Sequence, residues 1–515
     1  MKKIIITCLC LSYLLLSYGQ TEKEKAQLPL RDYMIGTSYN YPAQIERAFS
    51  DSAVLYLTKD GAPFPMRPKA YAALFAKRAA GVFNGRTSRI VSTTLYQDIA
   101  IAEIEVLIPG INARFIDLLL LQKYGEDWKI ISKTATRYAM QTTATVPKRQ
   151  VVMDGLRRPW SMDFISASEA IVAEKDGDLL LVNLKTKSKT RIQGFPDDLY
   201  TLKVIELDKY PPYTFPKDVD GKAVSFNAGI LEVVLDPAFQ ENSWIYVSYV
   251  AEQGDKYALK VIRAQLDEDR LTNITTLLQP GPYTFGLFHF GGGMTFGTDG
   301  KLYITAGERL FYEHSKKGLA IAQDVTDARG KIYRINPDGT IPEDNPDFGA
   351  DAVAGIYAIG IRAAQGITPE PTTGRLWFSE HGTIQGDEIN LLQAGANYGW
   401  PNVTTGQYRS KDYEAAAVPN AKFTDPIHYW LQTVAPTGLT FYTGNAFPNW
   451  QGSLIVPGLS RGSLWRIVLA DTTVKMVEEL FTDDRVRLRK AAMSPDGKLY
   501  LLTDEMNGRI FEVVK

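Results

Sequence analysis

The spacing of apolar positions changes character once along the chain. Up to about residue 145 it begins with helical periods. "RDYMIGTSYNYPAQIERAFS" sets apolar side chains at helical spacing, with Ala48 and Phe49 ending a turn that starts near Ile45. "DSAVLYLTKDG" reads as a strand entering a turn. The alanine-rich "RPKAYAALFAKRAAGVF" reads as a helix, with Pro68 in the first turn, where a fixed φ suits a helix start. Three strand-like runs follow: "RIVSTTLYQD", "IAIAEIEVLI" and "FIDLLLLQKYGEDWKIISKTATRY". The last is broken at Gly125-Glu126-Asp127, a hairpin signal. Helices followed by a long antiparallel sheet predict an α+β unit over residues 27–146.

After "TVPKRQ" helical periodicity nearly disappears. Residues 151–515 alternate short strands with Gly, Asp, Pro and Asn turns. One unit recurs as "AEKDGDLLLVN", "GTDGKLYITAG", "TTGRLWFSEHG" and "SPDGKLYLLTD": a glycine turn, then an alternating strand. Such repetition predicts the blades of a β-propeller, and blades of about 40–60 residues would number about six to eight. A β-sandwich of ordinary hairpins is the competing reading; the length and the repeated Asp-Gly unit argue against it.

Composition adds a compartment and removes some partners. The chain has 515 residues, is 45% apolar and carries a formal net charge of −1. That balance gives no electrostatic reason to expect nucleic acid or an anionic membrane as a partner. "MKKIIITCLCLSYLLLSYGQ" has a basic start at Lys2 and Lys3, an apolar run from Ile4 to Leu16, and small residues at Ser17 and Gly19. Residues 1–19 therefore read as a secretory signal peptide cut before Gln20, and the mature chain as periplasmic or secreted. Both cysteines, Cys8 and Cys10, lie inside that leader. Disulfides, thiol chemistry and cysteine-held metals are excluded from the mature chain. No later apolar run approaches the ~20 residues of a membrane span.

Three stretches could carry chemistry. In "FHFGGGMTFGTDGKLYITAGE", His289 stands before three glycines that permit a close approach of a backbone or a flat ligand. A general base near neutral pH is most often histidine, and a lone histidine is more often structural. His381 lies in a similarly open stretch beside Gly382. In "SEHGTIQGDEINLLQAGANYGWPN", Asp387 and Glu388 precede a tight turn at Tyr398. This is either an oxygen-rich calcium site or a solvated acidic turn. "DDRVRLRKAAMSPDG" holds Arg485, Arg487 and Arg489 at alternate positions, which in a strand share one face. Such a row suits a polycarboxylate or phosphate, or else guards an exposed edge. No nucleophile elbow, zinc helix, Walker loop or Rossmann glycine pattern is present.

Residues 27–146 resemble the NTF2-like superfamily in its lumazine-binding-like or SnoaL-like branch, through "YMIGTSYNYPAQIERAFSDSAVLYL" and "LLLLQKYGEDWKIISKTATRY". The resemblance implies a cone around an apolar pocket, serving as a binding or packing module, with homodimer formation as one role. From about Arg158 onward the chain resembles the soluble quinoprotein glucose and aldose sugar dehydrogenases. The matching pieces are "RRPWSMDF", "GILEVVLDPAFQENSWIYVSY", "HFGGGMTFGTDGKLYITAGE", "ARGKIYRINPDGTIPEDNP", "GIRAAQG", "SEHGTIQGDEINLLQAGANYGWP", "HYWLQTVAPTGLTFYTGNAFP" and "RLRKAAMSPDGKLYLLTD", in that order. That family implies an all-β six-bladed propeller over residues 151–515. It holds pyrroloquinoline quinone (PQQ), a tricarboxylic quinone, on a calcium ion.

The resemblance also implies roles. His289 matches the base that takes the proton of the sugar hydroxyl. Arg362 matches the arginine beside the reactive quinone carbonyl. Arg487 and Arg489 match the pair on the cofactor's carboxylates, Thr433 a cofactor hydrogen bond, and Asn227 a substrate-binding position. The carbonyls of Gly382 and Thr383 match the ligands of the cofactor's calcium. Asp387, Glu388 and the carbonyl of Tyr398 match a second calcium site. The chain departs from the pattern at five positions: Ala363 for an asparagine, Ser460 for a lysine, Asn227 for a glutamine, Thr383 for a proline and Gly293 for an arginine. The expected function is an exported PQQ- and calcium-dependent dehydrogenase acting on a sugar or related alcohol, with an unidentified electron acceptor. Two alternatives accompany it: a non-catalytic, calcium-stabilised propeller that binds carbohydrate or protein, and a calcium-dependent lactonase.

Overall fold

A computed structural model describes residues 22–59, 62–108, 111–139, 147–201, 228–309, 315, 317–408, 413, 415–418 and 421–515. The predicted leader and Asn227 lie outside them. The chain divides into two compact units, one of residues 1–140 with 418–421 and one of residues 141–417 with 422–515.

The first unit opens with helices α1 (Glu22–Tyr39) and α2 (Pro42–Ala48). Strands β1 (Phe49–Lys59) and β2 (Ala62–Met66) follow, then a short helix α3 (Pro68–Ala73). Strands β3 (Thr87–Tyr96), β4 (Ile99–Ile108), β5 (Ala113–Tyr124) and β6 (Asp127–Ala139) complete it. They form one sheet in the order β2-β1-β6-β5-β4-β3. The β1–β6 pair is parallel, and β5 and β6 meet at the Gly125 turn, as the hairpin signal predicts. Helix α3 is shorter than the alanine-rich pattern predicts. Leu74 is 54% exposed and Val82 57%, so the residues beyond Ala73 have no apolar face to bury. The side chain of Asn40 instead donates to the carbonyls of Ala79 and Val82 and holds that segment as turns.

The second unit contains, among the described residues, six four-stranded antiparallel sheets. Strand β7 (Lys148–Leu156) pairs with Gly508–Val514, so the first strand of the unit completes the last sheet. The first strands of the six sheets are Pro159–Phe164, Ile230–Leu235, Gly291–Phe296, Ala364–Pro369, Thr440–Phe441 and Leu488–Met493. Each touches the next, and the last touches the first, which closes a ring. Apolar clusters fill the gaps between neighbouring sheets. Met162, Val172 and Val182 pack on Tyr500, Leu502 and Ile510, and Trp377 and Trp430 pack on Phe441 and Trp465. Pairing the unit's first strand with its last sheet ties the start of the ring to its end, with β7 as the outer strand of that sheet.

The recurring Asp-Gly unit is not equivalent in all its copies. In three of them the turn leads into the second strand of a sheet, Leu302–Ala306, Leu376–Glu380 or Leu499–Thr503. In "AEKDGDLLLVN" it joins the second strand, Glu169–Glu174, to the third, Leu179–Asn183. A tight turn with a positive φ, such as Gly300 at 70°, marks any hairpin and does not say which one.

Candidate active site

The site lies where loops meet the inner ends of the ring strands. His289 occupies the left-handed region at φ 49°, just before Gly291–Phe296. Its carbonyl lies against Gly307, where a Cβ would sit 2.0 Å from that oxygen, so only glycine fits. Its Nδ1 is 2.7 Å from Oε1 of Glu308, whose side chain is 3% exposed. The backbone N–H of Glu308 donates to the carbonyl of Arg362 at 2.9 Å. One residue thus fixes the imidazole with its side chain and the Arg362 backbone with its main chain. Arg309 clamps the loop from the other side. It donates to the carbonyls of Phe288, Tyr257 and Gly286, and its guanidinium lies 3.6 Å from the Phe290 ring centre. Burial pulls its pKa down to about 9.

Arg362 is buried, donates from Nη1 to the His381 carbonyl at 3.0 Å, and faces the Trp400 ring at 5.1 Å. Its backbone N–H and that of Ala363 both donate to Oε1 of Glu380. Burial pushes Glu380 up to about 7 despite those donors. His381 is held well below the ordinary histidine pKa, first by burial and then by repulsion from Arg362, Arg489 and His289. Those four side chains therefore share one electrostatic neighbourhood. One His381 ring nitrogen bonds the Pro436 backbone, and Nε2 is buried with no hydrogen-bond partner.

Asp504 gathers three cations. Lys175 Nζ lies 2.6 Å from Oδ1, and Arg487 and Arg489 reach Oδ2 at 2.8 and 3.1 Å. Burial alone would raise the Asp504 pKa; the three cations hold it well below the usual carboxylate range. Lys175 is lowered well below the ordinary lysine pKa by burial and then by Arg489. Arg489 also donates to Gln365 at 2.7 Å and stacks on Trp160 at 4.1 Å, while its Nε is buried without a partner. Three basic side chains thus meet at one buried carboxylate, with Lys175 and Arg489 buried and Arg487 37% exposed.

Arg485 does not join Arg487 and Arg489. The strand begins only at Leu488, and Arg485 takes φ 52°, so the alternation that would align the three fails there. Its guanidinium turns to Glu479 at 3.0 Å. Asp387 and Glu388 also part company, because neighbours in a strand face opposite ways. Asp387 accepts the N–H groups of Gly382, Val434 and Ala435 at 2.8, 2.6 and 2.7 Å and so ties two loops together. Glu388 instead stands directly across from Glu380 in the sheet, and burial with the Glu380 charge pushes it up to about 8. The Tyr398 hydroxyl donates to the Leu391 carbonyl at 2.6 Å, and its ring packs edge-on against Phe378. Among the described residues, no cluster of three or more His, Cys, Asp or Glu side chains suits a metal. Thr383 donates to the Gln407 carbonyl, and Thr433 to that of Ile384.

One of the five departures has a local cause. A Cβ at Gly293 would stand 3.0 Å from the Gln365 carbonyl, so a side chain there would need that neighbour to give by a few tenths of an ångström. Ala363 is fully buried with its N–H on Glu380. Ser460 is exposed, and nothing in the structure explains the loss of a lysine there.

The chain belongs to the Glucose / Sorbosone dehydrogenase family, which it matches over residues 156–512. Residues 21–135 match the family described as "Putative lumazine-binding". The aldose sugar dehydrogenase YliI of Escherichia coli is 30% identical over 75% of this chain and 96% of the relative. Quinoprotein glucose dehydrogenase B of Acinetobacter calcoaceticus is 28% identical over 76% of this chain and 91% of the relative. The crystal structure of the soluble E. coli aldose sugar dehydrogenase in its apo form superposes with a TM-score of 0.61 at 29% identity, covering 72% of this chain and 99% of that one.

Proposed function

We propose that the chain is an exported quinoprotein sugar dehydrogenase, a six-bladed β-propeller that oxidises a sugar or related alcohol with PQQ and calcium. The observation that carries this reading is the convergence of Lys175, Arg487 and Arg489 on the single carboxylate of Asp504, in the neighbourhood of His289 and Arg362. Basic side chains gathered at one place suit a tricarboxylate. The orphaned Arg489 Nε and His381 Nε2 mark polar atoms that a ligand would satisfy. PQQ would be held by Arg487, Arg489 and Lys175, with Thr433 as a further contact, and when bound it supplies a quinone that accepts hydride.

His289 acts as general base at Nε2, opposite the nitrogen engaged by Glu308. Glu308 fixes the tautomer with the proton on Nδ1 and stabilises the imidazolium that forms. Arg362 stabilises negative charge that develops on the acceptor side. Its buried position beside Trp400 strengthens that effect by excluding water. Asn227 serves substrate binding. The carbonyls of Gly382 and Thr383 serve the cofactor's calcium, and Asp387 shapes their loop. A second calcium at Glu388 and the Tyr398 carbonyl is supported by the opposed Glu380 and Glu388, whose mutual repulsion a cation would relieve.

Residues 1–19 act as a Sec leader cut before Gln20, which makes the mature chain periplasmic or secreted. No helix among the described residues is long and apolar enough to cross a membrane. A homodimer through the N-terminal sheet is supported by exposed Ile99, Ile101, Leu118 and Leu120 on one face of β4 and β5. The test is reconstitution. PQQ and calcium are added to the purified chain, and absorbance and aldose oxidation with an artificial acceptor are followed. A new absorbance band with calcium-dependent turnover is expected. No band and no turnover would overturn the reading, and lactone hydrolysis without quinone would replace it with the lactonase.

A further inference from the structure

His289 sits in a segment that its own sheet does not hold. Residues 285–290 lie between the bridge at Thr284 and the strand that begins at Gly291, and they belong to no strand. The regular ladder therefore does not fix their backbone. His289 itself takes φ 49°, a conformation uncommon for any residue but glycine. The order of this segment must come from contacts outside it.

Three consecutive residues beyond the strand Leu302–Ala306 supply those contacts. The Gly307 N–H donates to the Phe290 carbonyl at 2.9 Å, and the Arg309 N–H to the His289 carbonyl at 3.3 Å. Glu308 meets the His289 ring at Nδ1, 2.7 Å away. The Arg309 side chain spans the rest. Its three guanidinium nitrogens serve three carbonyls: Nε that of Phe288 at 3.0 Å, Nη1 that of Tyr257 at 2.9 Å, and Nη2 that of Gly286. Tyr257 lies in the strand Lys256–Asp267, and its backbone exchanges hydrogen bonds of 2.8 and 3.0 Å with that of Thr284. A guanidinium is planar and rigid, so it fixes the carbonyls on the approach to His289 relative to that strand.

Arg309 is a costly residue for packing alone. It is 4% exposed, its three acceptors are carbonyls rather than carboxylates, and its backbone is left-handed at φ 74°. A buried charge without a counter-charge and a left-handed backbone outside glycine are both unfavourable. Such strain collects at functional sites, where the surrounding structure over-determines it. Here the strained residue touches the residue before His289 by its side chain and His289 itself by its backbone.

We propose that Arg309 is a positioning residue for His289: its guanidinium sets the 286–289 backbone so that the imidazole meets Glu308 at Nδ1 and presents Nε2 to the substrate. The inference rests on the reading of His289 as the general base. The experiment uses two variants of the full chain. Arg309→Met keeps the stem and removes all three donors; Arg309→Lys keeps the charge but cannot span three carbonyls, and it decides the question if the methionine variant does not fold. The first readout is nitrogen NMR of isotopically labelled histidine in cofactor-free protein, with the His289 signals assigned by His289→Ala. The parent should show one tautomer of His289, protonated at Nδ1, and both variants a mixture, while the His428 signals stay in place. The second readout is kinetic: kcat should fall about 10- to 100-fold with KM and PQQ affinity within about twofold, since a misplacement of about 1 Å can cost that much. A role in packing alone would lower the unfolding midpoint and leave the tautomer and kcat as they are. The parental His289 tautomer in Arg309→Lys, or a parental kcat in that variant, would overturn the proposal. The spectra need neither cofactor nor substrate, so a wild type that fails to turn over sinks the dehydrogenase reading while the spectra still decide what Arg309 does to His289.

Discussion

Replacing Arg489 by methionine separates an anion site from a structural ion pair. Removing one partner of a buried pair ordinarily costs about 3–5 kcal/mol, because the other charge is left alone. Asp504 would not be left alone in Arg489→Met: Lys175 at 2.6 Å and Arg487 at 2.8 Å remain on it. Arg489 is itself lowered in pKa by burial, so its charge is held at a cost. Methionine is apolar and long enough to keep contact with Trp160, which the guanidinium now covers at 4.1 Å. The cofactor-free stability of Arg489→Met should therefore fall by less than about 1.5 kcal/mol. Its affinity for PQQ should fall much further. A charge-assisted hydrogen bond worth about 1.5–3 kcal/mol corresponds to about 10- to 160-fold in Kd. Asp504→Asn should cost more without cofactor, about 3–5 kcal/mol, because it takes the shared carboxylate from three basic side chains. Urea unfolding of the cofactor-free variants and absorbance titration with PQQ measure the two quantities. An Arg489→Met protein as destabilised as Asp504→Asn, with PQQ affinity unchanged, would refute the anion site and leave a purely structural cluster.

Three further outcomes follow from the same geometry. Glu308→Gln should lower turnover about 10- to 160-fold at saturating PQQ, with PQQ affinity nearly unchanged, since it loses the charge on His289 Nδ1 and keeps the shape. Steady-state kinetics beside a PQQ titration checks that split. Gly307→Ala should displace the His289 carbonyl that lies 2.0 Å from the added Cβ, abolishing most turnover while the far-ultraviolet circular dichroism stays that of the parent. Lys331 gives a pH signature. Burial lowers it to about 7 from an ordinary value of 10.5, so the folded chain binds fewer protons than the unfolded chain between those limits. Its contribution therefore rises with pH across that window, by up to about 1.4 kcal/mol per pH unit. Unfolding midpoints from pH 7 to 10 should show a positive slope component that Lys331→Met removes.

The elements of both units were largely legible because their signals are local. Pro68 stands at a helix start, Gly125 turns the β5–β6 hairpin, and the Asp-Gly units mark real turns. Where the reading slipped, a long-range contact decided. The alanine-rich run stops at Ala73 because Asn40, distant in sequence, takes the carbonyls of the next turns.

The site divides in the same way. His289, Arg362, Arg487 and Arg489 stood in recognisable motifs, and the last two converge on one carboxylate. Lys175, Glu380 and Asp504 did not stand out, because each sits in or beside a turn and reads as a solvated polar residue. Lys175 and Asp504 are 329 positions apart, and only ring closure brings them together. Asp387 and Glu388 look like a pair in sequence, and the period of a strand sends them to opposite faces.

The most direct test of the proposed chemistry is a single-turnover experiment without an electron acceptor. The chain is loaded with PQQ and calcium and mixed anaerobically with an aldose, and the cofactor absorbance is followed in wild type and in His289→Ala. The predicted result is rapid reduction in wild type, and in His289→Ala full cofactor loading with reduction slowed at least about a hundredfold, the loss of a positioned base. Equal reduction rates in the two proteins, or no reduction in loaded wild type with any aldose, would contradict it.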